Sequence, residues 1–410
     1  MSDQQAIETE LTHPDPEKLS SAMAEIAERS QRLVSDFLAK QAEDPEISDP
    51  DPLNIGSAFA ELTSHIMQNP GKLVEAQIDL WQQYYTLWHN TTLRMMGEES
   101  EPVASPKKGD RRFRDEAWEN NELFDFIKQS YLLSSQWMQN VVQDVDGLDD
   151  KTAQKVEFYT RQFVDAISPT NFLMTNPEVL RTTIESGGEN LLKGLQNLLG
   201  DLERGKGKLQ IRMTDLDAFK IGENVATTEG SVVGRTPLME LLQYKPSTEK
   251  VAKRPLMIIP PWINKYYILD LRPENSFIKW AVDQGHTVFV LSWVNPDKKL
   301  AEKSFEDYAK EGVLAALDFI EQATGEKEVN AIGYCLGGTL LSSTLAYMAK
   351  TGDERIKSAT FLTTLLDFEK SGELSVFVDY EDIKSLELKM SKDGYLAGRD
   401  RPKLLNKQDA

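Results

Sequence analysis

Cysteine is nearly missing from these 410 residues: there is one, Cys335. No intramolecular disulfide can form, and a lone thiol suits a reducing compartment. Histidine is almost as scarce, with His13, His65, His89 and His286 making up the whole set. No run of 18 apolar residues occurs, so no helix is expected to span a membrane. Met1-Ser2-Asp3-Gln4-Gln5 is polar and acidic, with no basic stretch leading into an apolar one, so no secretory leader is expected. The cytoplasm is the expected location. Positive charge is in deficit as well: 46 Lys and Arg face 66 Asp and Glu, a net charge of −20. Such a field repels DNA, RNA and anionic lipid, which argues against a nucleic-acid partner.

What is present fits a folded protein of two or three domains. Hydrophobic residues make up 40% and charged residues 27%, an ordinary globular balance. Residues 1–19 read as a polar arm and 41–54, with Pro45 and Pro50, as a loop. Between them Met23, Ile26, Ala27, Leu33, Val34, Phe37 and Leu38 share one helical face. A second helix is predicted over 71–96. Its stripe of Leu73, Val74, Ile78, Trp81, Tyr85 and Trp88 could dock on a partner, but packing into a helical core is the expectation. A charged loop over 98–112 follows, then helices over 119–144, 149–167 and about 176–202. Gly205-Lys206-Gly207-Lys208 reads as a solvated basic linker.

The period then changes. Leu209-Gln210-Ile211-Arg212-Met213 alternates as a strand does. Strands are predicted at 255–259, 287–291, 328–332 and 358–366, with helices over 304–323 and 336–350. Strand–helix alternation predicts an α/β domain, a parallel sheet covered on both faces. The expected division is a helical N-terminal domain, 1–207, and an α/β-hydrolase domain, 208–410, incomplete at its C-terminus.

Gly333-Tyr334-Cys335-Leu336-Gly337-Gly338 lies between a predicted strand and a predicted helix. It matches the G-x-S-x-G nucleophile elbow with cysteine in place of serine. A helix N-terminus favours an anion, yet a free thiol, with a pKa of roughly 8.5, usually also needs a basic partner. The Leu336 N–H points into the same space as the nucleophile and is an oxyanion donor in this pattern. The second donor normally comes from the loop after an earlier strand. Pro261-Trp262-Ile263-Asn264-Lys265-Tyr266 occupies that place, and the Ile263 N–H is the candidate. Acyl transfer from one thioester to another is close to isoenergetic, so cysteine suits repeated transfer better than hydrolysis.

These residues resemble a known family. The segment 333–338 is similar to the cysteine box of class I polyhydroxyalkanoate synthases. Pro260-Pro261-Trp262-Ile263-Asn264-Lys265-Tyr266-Tyr267-Ile268-Leu269-Asp270-Leu271 resembles their oxyanion loop. Gln284-Gly285-His286-Thr287-Val288-Phe289 and Ser292-Trp293-Val294-Asn295-Pro296-Asp297 match the same family, as do Asp110-Arg111-Arg112-Phe113 and Ser168-Pro169-Thr170-Asn171-Phe172. The resemblance implies an acyltransferase that polymerises short (R)-3-hydroxyacyl-CoA into polyester and releases coenzyme A. Cys335 would carry the chain as a thioester, and no cofactor is implied beyond that substrate. In so acidic a protein, coenzyme A would need a local basic pocket. The resemblance also implies a homodimer, attachment to polyhydroxyalkanoate granules and phasin-like partners.

One departure bears on activity. The family uses a Cys–Asp–His triad with the acid and base downstream of the nucleophile, yet all four histidines precede Cys335, and the chain ends 75 residues after it (410 − 335). The expectation is a C-terminally truncated synthase, inactive alone. Asp367, after a predicted strand, is expected in a cap or loop role. The charged ending 401–410 departs from the family pattern. Two rivals stand beside this reading: an α/β-hydrolase-type depolymerase or thioesterase, which would release free hydroxy acid, and a non-catalytic fragment that binds granules or full-length synthase.

Overall fold

In a computed structural model, residues 55–395 are described apart from 144, 206, 208, 216 and 379, together with residues 21, 24–33 and 35. The polar arm 1–19, the loop 41–54, Lys206, Lys208 and the ending 401–410 lie outside the described residues. So do Met23, Val34, Phe37 and Leu38 of the first predicted helix, whose described residues are helical. The chain forms two compact units that part after Met213.

The first unit is helical: α1 Ile55–Gln68, α2 Pro70–Met95, α3 Glu122–Gln143, α4 Asp150–Ala166, α5 Pro177–Glu185 and α6 Glu189–Arg204. Local sequence sets several of these ends. Pro70 opens α2 at a position where its missing N–H costs nothing. The Asp149 carboxylate caps α4 by accepting from the Lys151 and Thr152 N–H groups. The single helix predicted over 176–202 is two, because Gly187 and Gly188 take φ of 58° and 89° and break it. Helix α1 had no counterpart among the predicted elements.

Leu87, Trp118 and Val156 anchor the interior of this unit. Asp125 is buried there with its charge matched. It accepts from Arg94 at 2.5 Å, from Lys128 at 2.9 Å and from Gln129 at 2.7 Å. Lys128 also donates to the Trp118 carbonyl. A buried carboxylate is tolerable only when paired in this way. The α2 stripe corrects an expectation. Leu87 is fully buried, and Tyr84 donates to the Ser130 carbonyl of α3. Val74, Ile78, Trp81, Tyr85 and Trp88 lie on another face and are 50–68% exposed. The helix has two apolar faces, and α3 covers one.

The second unit holds a six-stranded mixed sheet in the order β1-β2-β4-β3-β5-β6. Its strands are β1 Gly230–Arg235, β2 Met239–Tyr244, β3 Leu256–Ile259, β4 Val288–Trp293, β5 Val329–Tyr334 and β6 Ile356–Leu362. The last four run parallel, as expected, whereas β1 pairs antiparallel with β2 and β2 antiparallel with β4. The alternating segment 209–213 is not a strand. Leu209, Ile211 and Met213 are exposed, and the Gln210 and Arg212 N–H groups turn back to Asp201 of α6.

Side-chain alternation along the central strands divides the core by face. Met257, Ile259, Phe289 and Leu291 pack on one side with Leu340 of α9 (Leu336–Thr351) and Leu317 of α8 (Ala315–Thr324). Ile258, Val288 and Val290 pack on the other side with Ile278 and Val282 of α7 (Phe277–Asp283). Period-two burial on both faces explains why these strands read as near-continuous apolar runs. Ahead of α8, residues Tyr308–Leu314 widen into a π-helical turn. There Gly312 meets the Trp293 ring so closely that a Cβ would fall 2.6 Å from it.

Candidate active site

The parallel strands β3, β4, β5 and β6 end at one edge of the sheet, and the candidate residues gather there. Strand β5 stops at Tyr334 and α9 begins at Leu336, leaving Cys335 alone to make the reversal. It does so at φ 52° and ψ −124°, a conformation that disfavours a side chain. Such strain at a non-glycine residue persists only where the surroundings enforce it.

The surroundings are three glycines. A Cβ on Gly333 would lie 2.4 Å from the Gly338 Cα, and one on Gly337 would lie 2.0 Å from the Ile259 carbonyl oxygen. A Cβ on Gly338 would meet the Thr364 hydroxyl at 2.0 Å. The turn is therefore pressed against the end of β3 on one side and the segment after β6 on the other. The Cys335 N–H donates to the Leu362 carbonyl at 2.9 Å, and its carbonyl accepts from Gly338 N–H at 2.9 Å. The thiol itself is half-buried and free.

Leu336, the first residue of α9, follows the thiol directly. Neither its N–H nor that of Ile263 donates to another group among the described residues. Ile263 lies in the loop that leaves β3, where the Asn264 N–H closes a turn on the Pro261 carbonyl. Because Gly337 touches the backbone at Ile259 and Pro260, the loop and the elbow are in direct contact. Both predicted donor segments therefore start from the edge that carries the thiol.

The far end of that loop is held by Asp270, which is 1% exposed and accepts from the Thr228 hydroxyl at 2.7 Å and the Ser276 hydroxyl at 2.6 Å. Burial, with the Asp270 charge nearby, pushes the Tyr244 and Tyr266 hydroxyls above their ordinary range, so both stay neutral. Lys265 donates to the Asn295 side chain at 3.3 Å, linking the loops after β3 and β4.

No described histidine stands with Cys335. His286 precedes β4, at the opposite edge of the sheet, where its N–H donates to the Ala281 carbonyl and its Nδ1 is buried. Six residues of strand separate the two edges, about 20 Å. His65 and His89 belong to α1 and α2 of the helical unit. Asp367 is exposed and accepts from the Glu369 N–H at 2.9 Å, closing a local turn. Sequence reasoning missed Thr363, which takes φ 45° directly after β6 and next to Cys335. It also missed the indole of Trp293, which donates to the Pro260 carbonyl at 2.7 Å. No spacing signal marks either.

Comparisons with known proteins agree with this architecture. The family described as "Poly-beta-hydroxybutyrate polymerase (PhaC) N-terminus" matches residues 109–281, and "alpha/beta hydrolase fold" matches residues 252–386. The second unit is thus an α/β-hydrolase-fold domain. The "Poly(3-hydroxyalkanoate) polymerase subunit PhaC" of Rhizobium meliloti is 49% identical over 386 residues, covering 94% of this chain and 63% of that protein. The "Poly(3-hydroxyalkanoate) polymerase" of Methylorubrum extorquens is 54% identical over 332 residues, 81% of this chain and 55% of its own length. The PhaC subunit of Rhizobium etli is 45% identical, over 94% of this chain and 62% of that protein. The chain therefore spans 55–63% of the length of these relatives.

Proposed function

Since this chain belongs to the polyhydroxyalkanoate polymerase family over the length it spans, we propose that it handles (R)-3-hydroxyacyl-CoA by thioester exchange at Cys335. The Cys335 sulfur attacks the thioester carbonyl carbon. The oxygen of the tetrahedral intermediate accepts from the Leu336 and Ile263 N–H groups. Collapse breaks the bond to coenzyme A, whose thiolate leaves and takes up the proton lost by Cys335. A hydroxyl from a second unit then attacks the acyl-cysteine, extending the polyester and restoring the thiol.

The observation that carries this reading is the strained backbone of Cys335. The fold spends stability to hold one sulfur at the rim of the sheet beside unused N–H donors. Oxyanion donors of this kind contribute factors of about 10²–10³.

Among the described residues no histidine stands beside Cys335 as a base. His286 is at the wrong edge, so sustained turnover by this chain alone is expected to be several powers of ten below that of a complete triad. Incubation with 3-hydroxybutyryl-CoA tests both halves. Acylation of Cys335, seen by intact mass, should accompany release of no more than about one equivalent of coenzyme A and vanish in Cys335→Ala. No acylation would overturn the thioester reading. Multiple turnovers would overturn the absence of a base, and free hydroxy acid in place of polymer or acyl-cysteine would favour a hydrolase.

A second reading is supported by the exposed stripe on α2. Trp81 is 68% exposed, Tyr85 68% and Trp88 61%. An apolar surface of that kind marks an interaction site. Polyester granules in the cytoplasm, phasin-like proteins on them and a second synthase subunit are the partners this reading assigns to it.

A further inference from the structure

We propose that Trp293 is a positioning residue for oxyanion stabilisation, fixing the Ile263 segment against the nucleophile elbow; this rests on the thioester-exchange reading above. The case starts at the end of β3. The ladder to β4 ends with Ile258 opposite Val290, and the ladder to β5 ends with Ile259 opposite Gly333. Pro260 and Pro261 follow, and neither has an N–H with which to continue a sheet. The chain leaves the sheet here, three residues before Ile263.

The Pro260 carbonyl is consequently a buried acceptor at the root of the loop. Among the described residues no backbone N–H reaches it. The Trp293 indole N–H does, at 2.7 Å and out of contact with water. Gly337 approaches the same peptide, since a Cβ there would stand 2.9 Å from the Pro260 carbonyl carbon. One peptide unit thus contacts both the indole and the elbow that bears the thiol.

The indole is itself held. Its far edge lies on Gly312 in the π-helical turn, and the Tyr308 ring from the same turn packs at 5.4 Å between centroids. Tyr308 also packs on Trp262 at 5.6 Å, and Trp262 on Phe305 at 6.1 Å. Trp262 is the neighbour of Ile263 in the loop. The Trp293 group therefore acts on the loop at both Pro260 and Trp262.

Oxyanion donors act over a narrow window of about 2.7–3.1 Å, and a misplacement of about 1 Å costs on the order of 10² in rate. Substitution by phenylalanine keeps the ring but deletes the donor, leaving the Pro260 carbonyl unpaired.

The test uses the full chain, in which Cys335 is the only thiol. Two acyl donors, 3-hydroxybutyryl-CoA and a simple aryl thioester, are compared with iodoacetamide. Acylation passes through an oxyanion; alkylation by iodoacetamide does not. Trp293→Phe is expected to slow acylation about 10- to 100-fold while leaving alkylation unchanged. Gly312→Ala, which displaces the indole without removing it, is expected to act in the same direction. Equal losses in acylation and alkylation, or no loss in either, would overturn the proposal. If 3-hydroxybutyryl-CoA fails to acylate the unmodified chain while the aryl thioester succeeds, the polymerase reading falls. The aryl thioester arm still decides the role of Trp293.

Discussion

Replacing Cys335 by glycine should make the α/β unit more stable. The nucleophile sits at φ 52° and ψ −124°, where any Cβ is strained. Such a conformation costs about 1–3 kcal/mol. Alanine retains the Cβ and the strain, so Cys335→Ala is the proper reference. Glycine removes the strain but adds about 0.4–1 kcal/mol of unfolded-chain entropy to be lost on folding. The difference is a net gain of about 1 kcal/mol, with an upper bound of about 2.5 kcal/mol. For a unit of this size that raises the midpoint of thermal unfolding by about 2–4 °C. Urea unfolding followed by pulsed hydrogen exchange on β3, β4 and β5 would read the unit separately from the helical one. A Cys335→Gly chain no more stable than Cys335→Ala would refute the argument that the elbow stores strain.

Two further outcomes are expected. In the helical unit Arg112 donates to Asp110 at 2.9 and 3.0 Å, and its guanidinium holds that carboxyl below the usual range. The folded state thus favours ionised Asp110. Its contribution is present above the unfolded value near pH 3.9 and disappears as the pH falls through the folded value. Asp110→Asn should cost about 1 kcal/mol at pH 7, modest because Arg112 is 35% exposed, and nothing in strong acid; urea melts at the two extremes check this. Separately, Trp81→Asp with Trp88→Asp should abolish co-sedimentation with polyester granules and leave iodoacetamide alkylation of Cys335 unaltered. Undiminished sedimentation would remove α2 as the docking face.

The elbow was legible in the sequence because its chemistry is local. Gly333, Gly337 and Gly338 surround a single cysteine between an apolar strand and a helix; Gly333 and Gly337 prove to be close backbone contacts, and Gly338 lies against the Thr364 side chain. The three inner parallel strands were legible because burial on both faces leaves uninterrupted apolar runs such as Met257-Ile258-Ile259. Segments whose fate depends on a distant partner were not. Leu209–Met213 alternates like a strand, but Asp201 takes the Gln210 and Arg212 N–H groups, and no described strand pairs with it. The outward face of α2 has the same composition as an inward one, so only the position of α3 tells them apart. The Trp293–Pro260 bond spans 33 residues and depends on two strand ends lying side by side.

The π-helical turn at Tyr308–Leu314 has a consequence for how this domain can change over time. A π-turn carries one residue more than the regular helix around it. The wide turn absorbs that residue, so its loss would let the backbone close to the usual pitch with the helix on either side nearly in phase. What would go is the local bulge that lays Gly312 against the indole and Tyr308 against Trp262. Elsewhere in a regular helix the same deletion would turn one flank by about 100° against the other. This short stretch can therefore shed a residue without disturbing the domain around it, while its own aromatic contacts would not survive the change.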